Sequence, residues 1–292
     1  MPPLVSSRSR RELDICAKMT TIKNARRSAL FSRFFGSNVA WLREVVAAAL
    51  IKGGVKPNTL TFLGLFFTLI AAVFLARGAG DKIAAAPYHS WFGFVAALFL
   101  ILASACDILD GAVARNAKQI TRLGGFLDST LDRFADGLIF IGIMIYYIRR
   151  PDIPYHRLFA ALGMVALVNA QMISYVKARA ENIIDNCTVG YWQRSERIAA
   201  VLLGLFSGHI ATVLCVLAVL PPFTVLRRII YTSQQIKRLD NNQPPLQPYP
   251  PLQGLKRLAL WRYRRDTWQY ELIAALLIAF ILLLDIQKLL DR

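Results

Sequence analysis

Cysteine is scarce and scattered in this chain. Cys16, Cys106, Cys187 and Cys215 show no C-x-x-C spacing, which excludes both a zinc site and a disulfide framework. Acidic residues are also few: 18 Asp and Glu stand against 35 Lys and Arg, a net charge of +17. Charge of either sign makes up only 18% of the 292 residues, while 55% are hydrophobic, too apolar for a soluble domain of this length. A basic excess invites a nucleic-acid partner, but here the basic residues cluster at the ends of apolar segments. We therefore expect no nucleic acid, and a membrane face that attracts anionic lipid. No apolar core follows the basic N-terminus closely enough for a signal peptide.

What is present is a series of apolar helical segments. Residues 1–35 form a basic tail, expected to be disordered, and Met19 offers a second start (M-T-T-I-K). Residues 36–54 hold a short amphipathic helix, about 38–52, lying at the membrane interface. A first spanning helix opens at Pro57-Asn58, with Asn58 as its N-cap, and runs to about Ala76. A second starts at Trp91 and continues past Cys106; a third covers about Gly124–Ile148 and a fourth about Tyr155–Lys177. A fifth covers about Glu196–Phe206, followed by a tight turn at Ser207-Gly208-His209. The sixth starts near Ile210, bends at Pro221-Pro222 and ends around Tyr231. Residues 55–232 thus form an all-α, six-helix polytopic membrane domain. Residues 233–267 are a Pro-rich and basic linker carrying Trp261 and Tyr263. Within 268–292, the apolar run Leu272–Leu284 is short of the ~20 residues a span needs, so it is either a seventh, tilted span or an interfacial helix. Counted loop by loop, the basic residues put the N-terminus and the 115–122 linker on the cytoplasmic side of a cell inner membrane, against only Arg149, Arg150 and Arg157.

The stretch Asp107–Asp132 breaks the apolar pattern. It reads D-I-L-D-G-A-V-A-R, eight residues, then G-G-F-L-D-S-T-L-D. On helices, the spacing of Asp107 to Asp110, and of Asp128 to Asp132, stacks each pair on one face. Gly111, Ala114 and Gly124 leave that face nearly bare, so a ligand can lie against backbone. Four unpaired carboxylates at membrane depth are prohibitive without cations. Carboxylate oxygens favour a hard divalent ion, Mg²⁺, Mn²⁺ or Ca²⁺, over zinc. Capping does not explain the set, because Asp110 and Asp132 lie inside the apolar pattern. A carboxylate at the cluster edge can also take a proton from a hydroxyl.

The pattern D-x2-D-G-x2-A-R-x8-G-x3-D-x3-D is matched at every defined position and resembles the signature of the CDP-alcohol phosphotransferase family. The resemblance covers about residues 55–232 and implies transfer of a phosphatidyl group from CDP-diacylglycerol to a polar alcohol, with release of CMP. It implies that Asp107, Asp110 and Asp128 are metal ligands and that Asp132 is both a ligand and the catalytic base, with Mg²⁺ or Mn²⁺, two ions in all. Gly111, Ala114 and Arg115 then line the CDP-alcohol site, and Thr121 stands where relatives carry a small hydroxyl residue. The P-N-x-(I/L)-T element of the family is Pro57-Asn58-Thr59-Leu60-Thr61 here. Asn58 and Thr61 either contact the CDP-alcohol or simply cap a helix. Asp136 lies one turn beyond Asp132, outside the family's metal roles, and is expected to pair with a residue of the fourth helix. A homodimer embedded in membrane lipid is the implied assembly.

The acceptor is read from Ser174–Glu181, S-Y-V-K-A-R-A-E, and from the downstream Q-R-S-E-R of Gln193–Arg197. These resemble the branch that makes phosphatidylinositol phosphate and its archaetidyl counterpart. Inositol 1-phosphate is the acceptor they imply, with Lys177, Arg179, Arg194 and Arg197 holding its phosphate. Gln193 departs from the Glu of that branch, which weakens this assignment alone. The alternatives are another acceptor (glycerol 3-phosphate or inositol), a basic loop that only sets topology, or, from another class, a cation-binding membrane transporter.

Overall fold

A computed structural model describes residues 30–79, 90–246, 268–284 and 286–290. The basic tail through residue 29, the 80–89 loop and the 247–267 linker with Trp261 and Tyr263 lie outside the described residues. Among the described residues there are ten helices: α1 (Leu30–Lys52), α2 (Pro57–Arg77), α3 (Ser90–Asn116), α4 (Arg122–Ile148), α5 (His156–Glu181), α6 (Arg194–Ser207), α7 (Ile210–Val219), α8 (Pro221–Asp240), α9 (Trp268–Leu283) and α10 (Ile286–Leu290).

Among the described residues, four stretches are long and apolar enough to cross a membrane: Pro57–Arg77, Trp91–Asn116, His156–Glu181 and Ile210–Asp240, the last running through α7 and α8. The expected six spans are thus met by four on length and composition. α4 has 27 residues, about 40 Å of helix, but its first half carries Asp128, Asp132, Arg133 and Asp136. α6, with 14 residues, reaches only about 21 Å, below the ~30 Å hydrocarbon thickness. α9 has 16 residues and is likewise short.

α2 is the pivot of the bundle. It packs along both α3 and α4, while those two make little direct contact with each other. The approach is close: a Cβ on Gly142 of α4 would lie 2.6 Å from the Ala72 carbonyl oxygen of α2. Small residues are what let backbones meet at membrane depth. Gly142→Ala is therefore expected to destabilise by about 1–3 kcal/mol through overpacking. Thermal inactivation of the purified variant checks this, and an unchanged midpoint would mean that the two helices can spread without cost.

The Pro221-Pro222 kink is where expected. Neither proline has an N–H, so the carbonyls of Leu217 and Ala218 lose their helical partners. Asn169 of α5 replaces them, its Nδ2 donating to Leu217 O at 3.2 Å and to Ala218 O at 2.9 Å. Past the kink, α8 continues to Asp240 rather than ending at Tyr231, because no breaker interrupts R-R-I-I-Y-T-S-Q-Q-I-K. The first helix starts differently from expectation. Lys56 is its N-cap and Pro57 its first residue, which moves Asn58 into the first turn and off the cap.

The C-terminal segment folds back onto the bundle. α9 lies against α6 and α10 against α7. Ile273 and Ile281 are buried, Thr212 of α7 donates to Leu284 O at 2.8 Å, and Tyr155 donates to Leu290 O at 3.0 Å. α1 lies along α3. Its Glu44 Oε2 accepts from Asn116 Nδ2 at 2.6 Å, and Oε1 accepts from Arg43. The bond to Asn116, then that to Arg43, holds the Glu44 carboxyl below the usual carboxylate range.

Candidate active site

α3 brings Asp107 and Asp110 down from one side and α4 brings Asp128, Asp132 and Asp136 from the other, each set on one helical face. They converge over α2. Oxygens of Asp107, Asp110 and Asp128 all lie within 4.8 Å of one another. A cleft opens beside them, floored by Thr61, Gly64 and Thr68 of α2. Thr61 does not act as a helix cap alone: its Oγ1 donates to Asp110 Oδ2 at 2.9 Å, as well as to Pro57 O at 3.3 Å. Asp110 is buried and so is tied from α3 to α2. Three hard oxygen donors this close repel one another unless a cation sits among them, so the donor set fits a divalent ion.

Thr121 caps α4, its Oγ1 accepting from Gly124 N at 3.0 Å. The bare Cα of Gly124 faces both this hydroxyl and Asn58 Oδ1, so the P-N-T-L-T element and the start of α4 meet at one edge of the site. Gly111 is covered by the guanidinium of Arg115, which folds back one helical turn and would lie 3.1 Å from a Cβ there. Ala114 is half-buried beside the exposed Arg115.

The basic residues separate into different roles. Lys177 pairs with Glu181 at 3.8 Å, one turn along α5, and Arg179 is exposed. Arg194, the first residue of α6, enters the carboxylate cluster: its Nη1 is 2.8 Å from Asp107 Oδ1 and 2.7 Å from Asp132 Oδ1. Arg197 is corrected from the expected acceptor set. It is buried, with Nη2 2.5 Å from Asp136 Oδ2. A guanidinium committed to a buried carboxylate is not open to an incoming phosphate. Asp136 accordingly finds its partner on α6, not on α5, the expected fourth span. Glu196 Oε2 accepts from Gln193 N at 3.2 Å and closes the first turn of α6.

Several residues that position Arg194 were not read from the sequence. Arg228 of α8 is fully buried, with Nε donating to Val189 O at 3.0 Å and Nη1 to Ile173 O at 2.5 Å. Thr224 Oγ1 accepts from Trp192 N at 3.4 Å. Gly190 takes φ +105 with its Cα tight against the Thr224 side chain, a conformation and a clearance that only glycine provides. These bonds tie the loop after α5 to α8. Gly64 and Thr68 were missed too, although T-x-x-G-x-x-x-T places them with Thr61 on one face of α2.

The match to known proteins runs along the same residues. The chain is 40% identical over 162 residues to the archaetidylinositol phosphate synthase of Methanothermobacter thermautotrophicus, covering 53% of this chain and 77% of the relative. It is 32% identical over 219 residues to the phosphatidylinositol phosphate synthase of Mycobacteroides abscessus, covering 69% and 87%. Among solved structures, it is similar to the Mycobacterium tuberculosis phosphatidylinositol phosphate synthase with CDP-DAG bound (TM-score 0.55, 28% identity, 65% of this chain and 92% of that one). It is also similar to that enzyme in complex with manganese and citrate (TM-score 0.56, 28% identity, 65% and 88%). The sequence model for CDP-alcohol phosphatidyltransferases matches residues 55–231, a segment that holds both the α2 floor and every aspartate of the cluster, and this multi-pass membrane protein belongs to that family of enzymes.

Proposed function

We propose that the enzyme transfers a phosphatidyl group from CDP-diacylglycerol to inositol 1-phosphate, releasing CMP, at the cytoplasmic face of the cell inner membrane. The observation that carries this reading is the trio of Asp107, Asp110 and Asp128, with oxygens within 4.8 Å, at a cleft that Arg194 also lines. The similarity to archaetidylinositol phosphate and phosphatidylinositol phosphate synthases supports the acceptor. The six-span bundle, the homodimer and Mg²⁺ or Mn²⁺ as a pair of ions belong to the same proposal.

The chain's own residues divide the work. Asp107, Asp110 and Asp128 would hold a divalent cation, which would neutralise the donor's pyrophosphate and polarise the attacked phosphorus. Thr61 fixes the Asp110 carboxylate through its hydroxyl. Arg115, beside Gly111 and Ala114, grips a donor phosphate with a two-pronged contact. Asn58 and Thr121 border the nucleotide. Lys177, Arg179 and Arg194 attract the acceptor's phosphate. Asp132 takes the proton of the acceptor hydroxyl as its oxygen bonds to phosphorus and the anhydride bond to CMP breaks, a reaction governed by position and electrostatics.

An acceptor screen with purified protein and CDP-diacylglycerol tests the reading through CMP release. Inositol 1-phosphate is expected to outpace glycerol 3-phosphate and inositol. Chelation is expected to abolish release, and Mg²⁺ or Mn²⁺ to restore it, because Arg194 pairs with only Asp107 of the trio and a hard divalent ion suits all three carboxylates. Faster release with an unphosphorylated alcohol would overturn the acceptor, and full activity after exhaustive chelation would overturn the role of the trio.

A further inference from the structure

Arg194 is held in the cluster in an unusual way. Its Nη1 bridges Asp107 and Asp132 at 2.8 and 2.7 Å, and its Nε is 3.7 Å from Asp136 Oδ1. Yet neither Nη1 nor Nε, both buried, has an aligned hydrogen bond. Charge holds the guanidinium there, without the fork geometry that makes arginine–carboxylate pairs tight. Asp136 does not depend on it, having Arg197. Asp107 is claimed twice, by the trio and by Arg194. Asp132, the base of the proposed reaction, has its Oδ1 covered.

We infer that Arg194 is a positioning latch, an internal cation that covers Asp107 and Asp132 until the phosphate of the incoming acceptor draws it off. The inference rests on the proposed reading, in which the acceptor carries a phosphate. A phosphate offers the guanidinium the paired oxygens that the two separate carboxylates do not. When the guanidinium turns to it, Asp107 is left to the divalent ion alone and Asp132 is uncovered just as the hydroxyl arrives. The latch also denies water the same chance. With Asp132 uncovered and no acceptor present, a water oxygen bonds to the lipid phosphorus and the anhydride bond to CMP breaks. The water proton passes to Asp132, and phosphatidic acid and CMP are the products. Covering the base until the acceptor binds suppresses this loss.

Coupling between two ligands is reciprocal, so it can be read without the reaction. Mn²⁺ binding to the full-length protein in detergent, with no substrate, is measured by the loss of the free-ion EPR signal. In the wild type, inorganic phosphate is expected to tighten Mn²⁺ binding. Arg194→Gln is expected to bind Mn²⁺ about tenfold tighter from the outset and to lose the response to phosphate. The same variant is expected to release CMP from CDP-diacylglycerol without acceptor faster than wild type, while transfer falls. Arg194→Lys keeps the charge but not the fork, so it keeps weak Mn²⁺ binding and loses most of the phosphate response; it carries the test if the glutamine variant does not purify. Wild-type Mn²⁺ affinity in Arg194→Gln, or a phosphate response that survives there, overturns the latch. The titration contains no CDP-alcohol and no inositol compound, so its failure is separate from a failure of the acceptor screen.

Discussion

Asp132→Asn lowers turnover by at least ~10²-fold, the usual contribution of general-base help, while CDP-diacylglycerol still binds. Asn keeps the shape of the side chain and removes its ability to take a proton. The donor's phosphates are assigned to Asp107, Asp110 and Asp128 with their cation and to Arg115, none of which this substitution alters. Asp132 lies on the edge of that set, 2.7 Å from Arg194 Nη1 and outside the close trio. Arg194 retains Asp107 as a partner in the variant, so the site loses one carboxylate and not its organisation. Single-turnover CMP release and donor binding, measured side by side, separate the two effects. Near-normal turnover would remove Asp132 from the chemistry, and equal losses in binding and turnover would make it a ligand only.

The sequence carries the aspartate cluster in full because its information is local. Two helical pairs with bare neighbours put four carboxylates on two faces, and any packing that buries the apolar remainder drives those faces together. Most helices are equally legible, since apolar periodicity and the Pro221-Pro222 break are also local. The start of α2 was misread by two residues because both Pro57 and Asn58 favour a helix start, and the missing proline N–H decides for Lys56 as the cap. What the sequence hides is partnership across long separations. Thr61 to Asp110 is 49 residues apart, Asn169 to the Leu217 and Ala218 carbonyls 48 and 49, and Arg197 to Asp136 61. Nothing in R-S-E-R states that one arginine enters the cluster while the other is buried behind it. Helical geometry gives the reason only afterwards. Residues three apart share a face of α6, but the first turn is at the rim and the next lies one turn deeper.

That depth difference makes Arg197 the residue whose removal is expected to cost the fold most. Its side chain is 4% exposed and that of Asp136 6%, with Nη2 2.5 Å from Oδ2. Arg197→Ala leaves a buried carboxylate whose remaining neighbour, Arg194 Nε, is 3.7 Å away and already shared among three aspartates. Breaking a buried pair from one side costs about 3–5 kcal/mol, because the charge left behind is no longer hydrated. The pair also joins α6 to α4, so the loss loosens the helix that presents Arg194. A sharp fall in thermal stability is therefore expected for Arg197→Ala and for Asp136→Ala alike. Removing both charges is expected to recover most of it, since replacing a buried pair with apolar residues of similar volume is often neutral or stabilising. Arg197→Met with Asp136→Leu is the combination to make. Arg179→Ala provides the contrast: its side chain is exposed, so stability should hold while the KM for an acceptor phosphate rises about ten- to a hundredfold. If Arg197→Ala instead keeps wild-type stability and changes only the acceptor KM, then Arg197 faces the substrate and the burial assigned to its pair with Asp136 is wrong.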